Sequence, residues 1–187
     1  MAKTEIYQIK VTLQGAKPPI WRRLLVSSDT TLARFHDILQ EAMGWTDSHL
    51  HMFTAEGVRY CKPMLDDPSH LLELDAKDSR RVKLNKLVSG ESFKMQYEYD
   101  FGDSWDHVIV IEKILPMIPD TKLPVCITGK RACPPEDVGG SWGYEEFLEA
   151  IKDPGHSEHD EYLDWVGGKF DPEAFDKETV NKRLQVL

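Results

Sequence analysis

Tyr7, Ile9, Val11 and Leu13 alternate with Gln8, Lys10 and Thr12, the two-residue period of a strand with one buried face. Gly15 to Pro19 supplies turn residues, and Ile20 to Val26 (IWRRLLV) follows as a second strand, paired with the first in a hairpin. Leu32, Phe35, Leu39, Ala42 and Met43 then recur at helical spacing. Asp29 or Thr30 is placed to cap that helix, and Gly44 to close it in a left-handed conformation. The chain therefore opens strand, strand, helix.

His49 to Tyr60 (HLHMFTAEGVRY) reads as a third strand and turn. Lys62 to Arg81 is polar, carries Asp66, Asp67 and Pro68, and reads as a surface excursion from which Val82 to Val88 returns to the core. Met95, Tyr97, Tyr99 and Phe101 alternate again, Gly102 to Ser104 turns, and Val108 to Ile114 is nearly all apolar, as in the centre of a sheet. Pro116 and Pro119 end it. From Gly140 the period becomes helical: Tyr144, Phe147, Leu148 and Ile151 form one stripe, ended by Asp153-Pro154-Gly155. Ser157 is placed to cap a second helix carrying Tyr162, Leu163 and Val166, which stops at Gly167-Gly168, and a last helix starts near Asp176 and uses Val180 and Leu184. Strands early and helices late predict an α+β fold with a mixed or antiparallel sheet, not a doubly wound parallel one. The 187 residues are expected to form a single domain, with 1–120 mainly sheet plus one helix and 140–187 helical.

Charge narrows the range of partners. The chain carries 23 Lys and Arg against 32 Asp and Glu, a net charge of -9, which opposes non-specific attraction to phosphate backbones and anionic membrane surfaces. No non-specific DNA binding is expected, so a protein or nucleic-acid partner has to be recognised through a local patch. No apolar run approaches the roughly 18 residues needed to span a bilayer, and MAKTEIYQIKV runs into a strand pattern without an apolar leader. The expected location is the cytoplasm. Cys61, Cys126 and Cys133 show no disulfide-framework spacing, which suits a reducing compartment.

The stretch YEYDFGDSWDHVIVIE, residues 97–112, gathers Asp100, Asp103, Asp106 and His107 between apolar strands. If Tyr97, Tyr99 and Phe101 face the core, Glu98 and Asp100 lie on the opposite face, and the turn brings Asp103 and Asp106 to the same end of the sheet. An unpaired buried carboxylate costs on the order of several kcal/mol, so these groups must be solvated, paired with arginine or bound to a cation. As a polar hairpin tip they stabilise the turn; as an ion-pair scaffold they use Arg22, Arg23, Lys130 and Arg131. His49 and His51 project from one face if their segment is a strand, and with His107 and Cys133 they offer a four-ligand zinc set. Asp100, Asp103, Glu136 and Asp137 instead offer oxygen ligands for magnesium or manganese, with His107 as general base of a hydrolase or nuclease. In CITGKRACPPEDVGGSWGY, residues 126–144, Pro134-Pro135 stiffens the chain, and the acidic pair after it either supports a site or sits near the N-terminus of the following helix. Trp21, Trp45, Trp105 and Trp142 are expected to pack at element edges with the indole N–H bonded nearby. No phosphate-binding glycine loop, GxSxG, HExxH or EF-hand pattern is present.

PIWRRLLV, LARFHDILQEAMGW, HLHMF, YEYDFGDSWDHVIVIE, RACPPEDVGG and FDPEAFD occur in this order, and over nearly its whole length the chain resembles the plasmid pRiA4b ORF-3-like family. That family is widespread in bacteria and archaea, is sometimes described as a passenger of insertion elements, and has no established biochemical function. The resemblance implies a compact α+β domain. It gives motif status to Trp21, Arg22, His51, Tyr99, Asp100, Gly102, Asp103, Trp105, His107 and the run Cys133, Pro134, Pro135, Glu136 and Asp137. Where many relatives read CPPEDCGG this chain has Val138, which weakens a cysteine-based metal site here. The expected function is a non-enzymatic binding or interaction domain associated with mobile elements. The alternatives are a metal-assisted hydrolase or nuclease and a structural zinc-binding domain, both of which require a divalent metal.

Overall fold

The structure is a computed structural model and describes residues 4–64, 67 and 69–187. Asp66 and Pro68 of the expected surface excursion lie outside the described residues. Strands β1 (Glu5–Leu13) and β2 (Trp21–Ser27) form the expected antiparallel hairpin. Helix α1 (Leu32–Met43) follows, closed by Gly44 at φ 101°. Its cap is Thr31, whose side chain accepts the amide of Arg34 at 3.2 Å, not Asp29 or Thr30. The reason is tertiary: the carbonyl of Thr30 takes the amide of Leu84, and Thr31 bridges Lys83, so the backbone is committed to a neighbouring segment until residue 31.

The segment read as one strand and a turn is a hairpin, β3 (His51–Ala55) and β4 (Val58–Cys61), joined through Glu56 at φ 49° and Gly57 at φ 78°. Two consecutive positive φ values are what a tight two-residue hairpin loop demands. After the short helix α2 (His70–Glu73), the polar excursion adds β5 (Ala76–Asp78) parallel to β4. Strands β6 (Lys94–Tyr99), β7 (Trp105–Pro116) and β8 (Val125–Lys130) complete one eight-stranded sheet in the order β5-β4-β3-β6-β7-β1-β2-β8. The one parallel pair makes it mixed, and with the late helices it gives the expected α+β fold. β8 lies in the stretch read as a stiff loop; it exists because β2 offers it a free edge.

Helices α3 (Gly140–Lys152), α4 (His159–Trp165) and α5 (Lys177–Leu184) follow. Asp176 caps α5 through the amides of Glu178 and Thr179. Helix α4 has Glu158 at its cap position with no side-chain bond, so Ser157 does not cap it. None of the helices among the described residues is long and apolar enough to cross a membrane.

The sheet's two faces follow from alternation. Tyr7, Ile9, Val11, Leu24, Val26, Ile109 and Ile111 are buried with the apolar stripe of α1 in one core. On the other face Arg23 reaches Glu112 through two nitrogens, at 2.6 and 2.8 Å, and Gln8 joins them. Because β2 alternates, Arg22 falls on the core side, 3% exposed. The tryptophans divide: Trp45 and Trp105 are buried, but Trp142, expected to pack, is 81% exposed. Gly143 shows how closely α3 is seated, since a Cβ there would lie 1.9 Å from the carbonyl oxygen of Val138. Glycine to alanine inside a helix ordinarily stabilises by about 0.5–1 kcal/mol. For Gly143→Ala we expect the opposite sign, a lowered unfolding midpoint in denaturant titration.

Candidate functional site

Three segments remote in sequence meet at one end of the sheet: residues 44–51 after α1, the turn 100–104 between β6 and β7, and residues 131–140 before α3. Tyr99, the last residue of β6 and fully buried, joins them. Its hydroxyl accepts the amide of Ser48 at 3.0 Å and donates to Glu136. Glu136 also accepts from the amide of Thr46 at 3.1 Å and from its hydroxyl, and Trp45 Nε1 donates to the carbonyl of Pro134 at 3.1 Å. Burial and the Glu136 carboxylate hold the Tyr99 phenol well above its ordinary pKa, so it remains a donor. From the other side, Asp103 accepts the amide of Gly139 at 3.1 Å. A Cβ on Gly140 would stand 2.5 Å from the carbonyl oxygen of Asp103, so only glycine permits this approach.

Asp100 does not continue the strand. It takes φ 58°, and its Oδ1 accepts the amide of Gly102 at 2.9 Å. That turn swings its carboxylate inward, leaving the residue 8% exposed, and turns Phe101 outward to 38% exposure. The expected placement of Phe101 in the core and Asp100 on the solvent face is thus reversed. Among the described residues no arginine pairs with Asp100. Instead His49 Nε2 lies 3.7 Å from Asp100 Oδ2 and 3.1 Å from Asp137 Oδ1. The approach is out of line for a hydrogen bond, and this buried nitrogen has no hydrogen-bond partner among the described residues. One ligand atom from each of His49, Asp100 and Asp137 falls within 4.8 Å of the others. Donors about 2.0–2.2 Å from one divalent ion in a tetrahedral shell stand roughly 3.3–3.6 Å apart, and the 3.7 and 3.1 Å separations of His49 Nε2 from the two carboxylates bracket that spacing.

A second group, His36, Asp47 and His51, lies nearby. The His36 and His51 rings stack at 3.5 Å and 10°. An ion must lie near the plane of each imidazole that holds it, so two parallel rings cannot both ligate one ion as they stand. Hydrogen bonds account for His36 without metal: it contacts Tyr97 OH at 2.8 Å and Asp47 at 2.6 Å, while Gln40 donates to Tyr97 at 3.0 Å. The bond from His36 holds the Asp47 carboxyl below its usual range.

The structure separates several residues that the sequence grouped. His49 precedes β3 and His51 begins it, so the two imidazoles belong to different groups. His107 is 1% exposed on the core side of β7, its Nδ1 3.3 Å from the carbonyl of Tyr97 and its Nε2 without a partner. Cys133 belongs to neither group; burial pushes its thiol up to about 12. Of the oxygen set, Asp100 and Asp137 come together, whereas Asp103 and Glu136 are taken by backbone and hydroxyl donors. Nor do Arg22, Arg23 and Arg131 hold the aspartates of the 97–112 stretch: Arg23 pairs with Glu112, Arg131 with Glu173 at 2.7 Å, and the hydrogen bonds of Arg22 go to carbonyls. Sequence reasoning missed His36, Asp47 and Thr46. The available signal was His36 and Gln40, polar residues one turn apart among the buried positions of α1.

Two histidines at this end of the sheet are held neutral. Burial lowers His107 to about 4, with the charge of Arg22 adding to it. Burial, then the neighbouring His36, lowers His51 to about 3. Such a group stabilises the fold fully above its unfolded pKa, about 6.5, and that contribution is lost as pH falls towards the folded value. Melting temperature should therefore drop from pH 6.5 to pH 4.5. His107→Gln should remove about one proton from that dependence, about 1.4 kcal/mol per pH unit, read from melts across a pH series.

Comparison with known proteins places these segments in a family. The chain is 40% identical over 187 residues to the uncharacterised protein y4hQ of Sinorhizobium fredii, covering 97% of this chain and 92% of that one. A crystal structure of MM3350, a protein of unknown function from Methanosarcina mazei Go1, superposes with a TM-score of 0.83 at 34% identity, covering 95% of this chain and 98% of that one. The model of the plasmid pRiA4b ORF-3-like proteins matches residues 5–179, and the chain belongs to that family.

Proposed function

We propose that the protein is a non-enzymatic binding domain whose recognition site is organised by a divalent cation at His49, Asp100 and Asp137. The observation that carries this is the His49 Nε2 atom, enclosed without a hydrogen bond while facing carboxylate oxygens from two different loops. A hydrogen-bonded structural histidine would be aligned with one of them. One imidazole and two carboxylates suit zinc or manganese, and Asp137, with its side chain 70% exposed, leaves the outer face open for an oxygen atom of a partner to complete the coordination shell.

Binding is favoured over hydrolysis by the positions of the other candidates. His107, the expected general base, is enclosed in the core, and Asp103 and Glu136 are occupied in holding the loops together. The net charge of -9 disfavours bare phosphate backbone as the partner, and an association with mobile elements rests on the family resemblance alone.

Elemental analysis of untagged protein should find one divalent ion per chain. Melting after chelator treatment should recover with one added cation among magnesium, manganese and zinc, and should saturate. At a hundredfold excess over Kd the gain is about 2.7 kcal/mol, roughly 5–10 °C for a chain of this size. Asp137→Asn and Asp100→Asn should abolish the shift; Asn at 100 keeps the acceptor for Gly102. A wild-type melting curve indifferent to chelator and to all three cations would exclude the site.

A further inference from the structure

A cavity of about 360 Å³ opens beside the 131–140 segment, between the end of α1 and α5. Arg22 and Arg183 both line it. Arg22 is 3% exposed, and its Nε and Nη1 donate to the carbonyls of Ala42, Trp21 and Lys130 at 2.9–3.0 Å. Those bonds leave Nη2, with two N–H donors, without a protein acceptor among the described residues. Among the described residues no carboxylate pairs with Arg22, although a buried cation ordinarily requires one. Arg183 enters from α5. Its Nε is buried without a hydrogen bond, and the nearest carboxylate oxygen, on Glu41, is 3.8 Å away. Its Nη2 lies 3.5 Å from where a Cβ on Gly44 would stand.

Burial lowers the Arg22 pKa, and the like charge of Arg183 adds a smaller part against the opposing influence of Cys133 and Cys126. Two acidic residues also line the cavity, and both are occupied. Glu136 takes Tyr99 and Thr46, and Asp176 takes the Glu178 and Thr179 amides and the Thr179 hydroxyl. The carbonyl of Ala42, at the end of α1, offsets part of the Arg22 charge. Phe175, whose ring lies 4.7 Å from the Arg22 guanidinium, lines the cavity as well.

We infer that this cavity is a binding site for a small oxyanion, a phosphate or carboxylate group, held between Arg22 Nη2 and Arg183. Planar guanidiniums match the geometry of such groups. A volume of about 360 Å³ accommodates the anion together with a modest organic body against Phe175 and Pro134.

The cavity shares the 131–140 loop with the proposed cation site but none of its three ligands, so the test uses Asp137→Asn protein, in which that site is disabled. Thermal melting and calorimetric titration with inorganic phosphate, and separately with acetate, are compared with sodium chloride at equal ionic strength. A saturable shift beyond that of chloride is expected for at least one of the two, and which one responds decides between phosphate and carboxylate. Arg22 holds three carbonyls and its replacement endangers the fold, so the decisive variant is Arg183→Gln, at a partly exposed position. It should fold with unchanged circular dichroism and weaken the anion at least ten-fold. No saturable effect beyond chloride, or equal affinity in Arg183→Gln, overturns the inference.

Discussion

The hydroxyl of Tyr99 is the point on which one end of the molecule turns. It sits at the last residue of β6, accepts from the 44–51 segment and donates to the acidic loop. A buried phenol must place its O–H somewhere, and here the two partners come from segments 51 and 37 residues away. Without that link Glu136 loses its buried donor, and the loop that carries Asp137 toward His49 keeps only the bonds from Thr46 and Trp45 and the one to Asp103. The stiffness of Pro134-Pro135 and the close seating of Gly140 against Asp103 then fix the loop's other degrees of freedom.

This end of the sheet is unusual in the number of polar groups it encloses. Among its buried residues are Arg22, His36, Gln40, His51, Asp100 and His107, and most are satisfied by hydrogen bonds that cross between elements. Enclosed polar groups are costly when unpaired and specific when paired. The exceptions are therefore informative: the Nε2 atoms of His49, His51 and His107 and the Nε of Arg183 lack partners. Three of these lie where the chain has space or opposite charge to offer a ligand, His51 among them in a cavity it lines with Asp47 and His70. His49 faces carboxylates and Arg183 faces a cavity. His107 has neither, and the core answers by keeping it neutral.

The two proposed sites use the same loop. Residues 131–140 present Asp137 to His49 and wall the arginine cavity with Cys133, Pro134 and Pro135. A cation at the first site and an anion at the second would both stiffen a segment already pinned by Trp45 and Tyr99. Coupling between them would require two arrangements of the loop, and a rigid double-proline run supplies one.

The sequence by itself determined the elements with a clear period: β1, β2, α1 with its glycine end, β6, the centre of β7, and α3 and α5. There the burial pattern of each residue is set by its immediate neighbours, and alternation or helical spacing records it. It also singled out the loops that matter, because aspartate, glycine and proline at such density have local conformational reasons to be there. Only the tertiary structure decided which of those residues meet. β8 formed because β2 had an unpaired edge, and the cap moved to Thr31 because Thr30 was already bonded to Leu84. A left-handed residue at 100 exchanged the expected positions of Asp100 and Phe101. His49 and His51 were parted by a strand start that falls between them, and Arg22 was turned from presumed partner of aspartates into a buried cation by the register of its strand. Contacts across such sequence separations depend on how whole elements pack, and no local pattern encodes that.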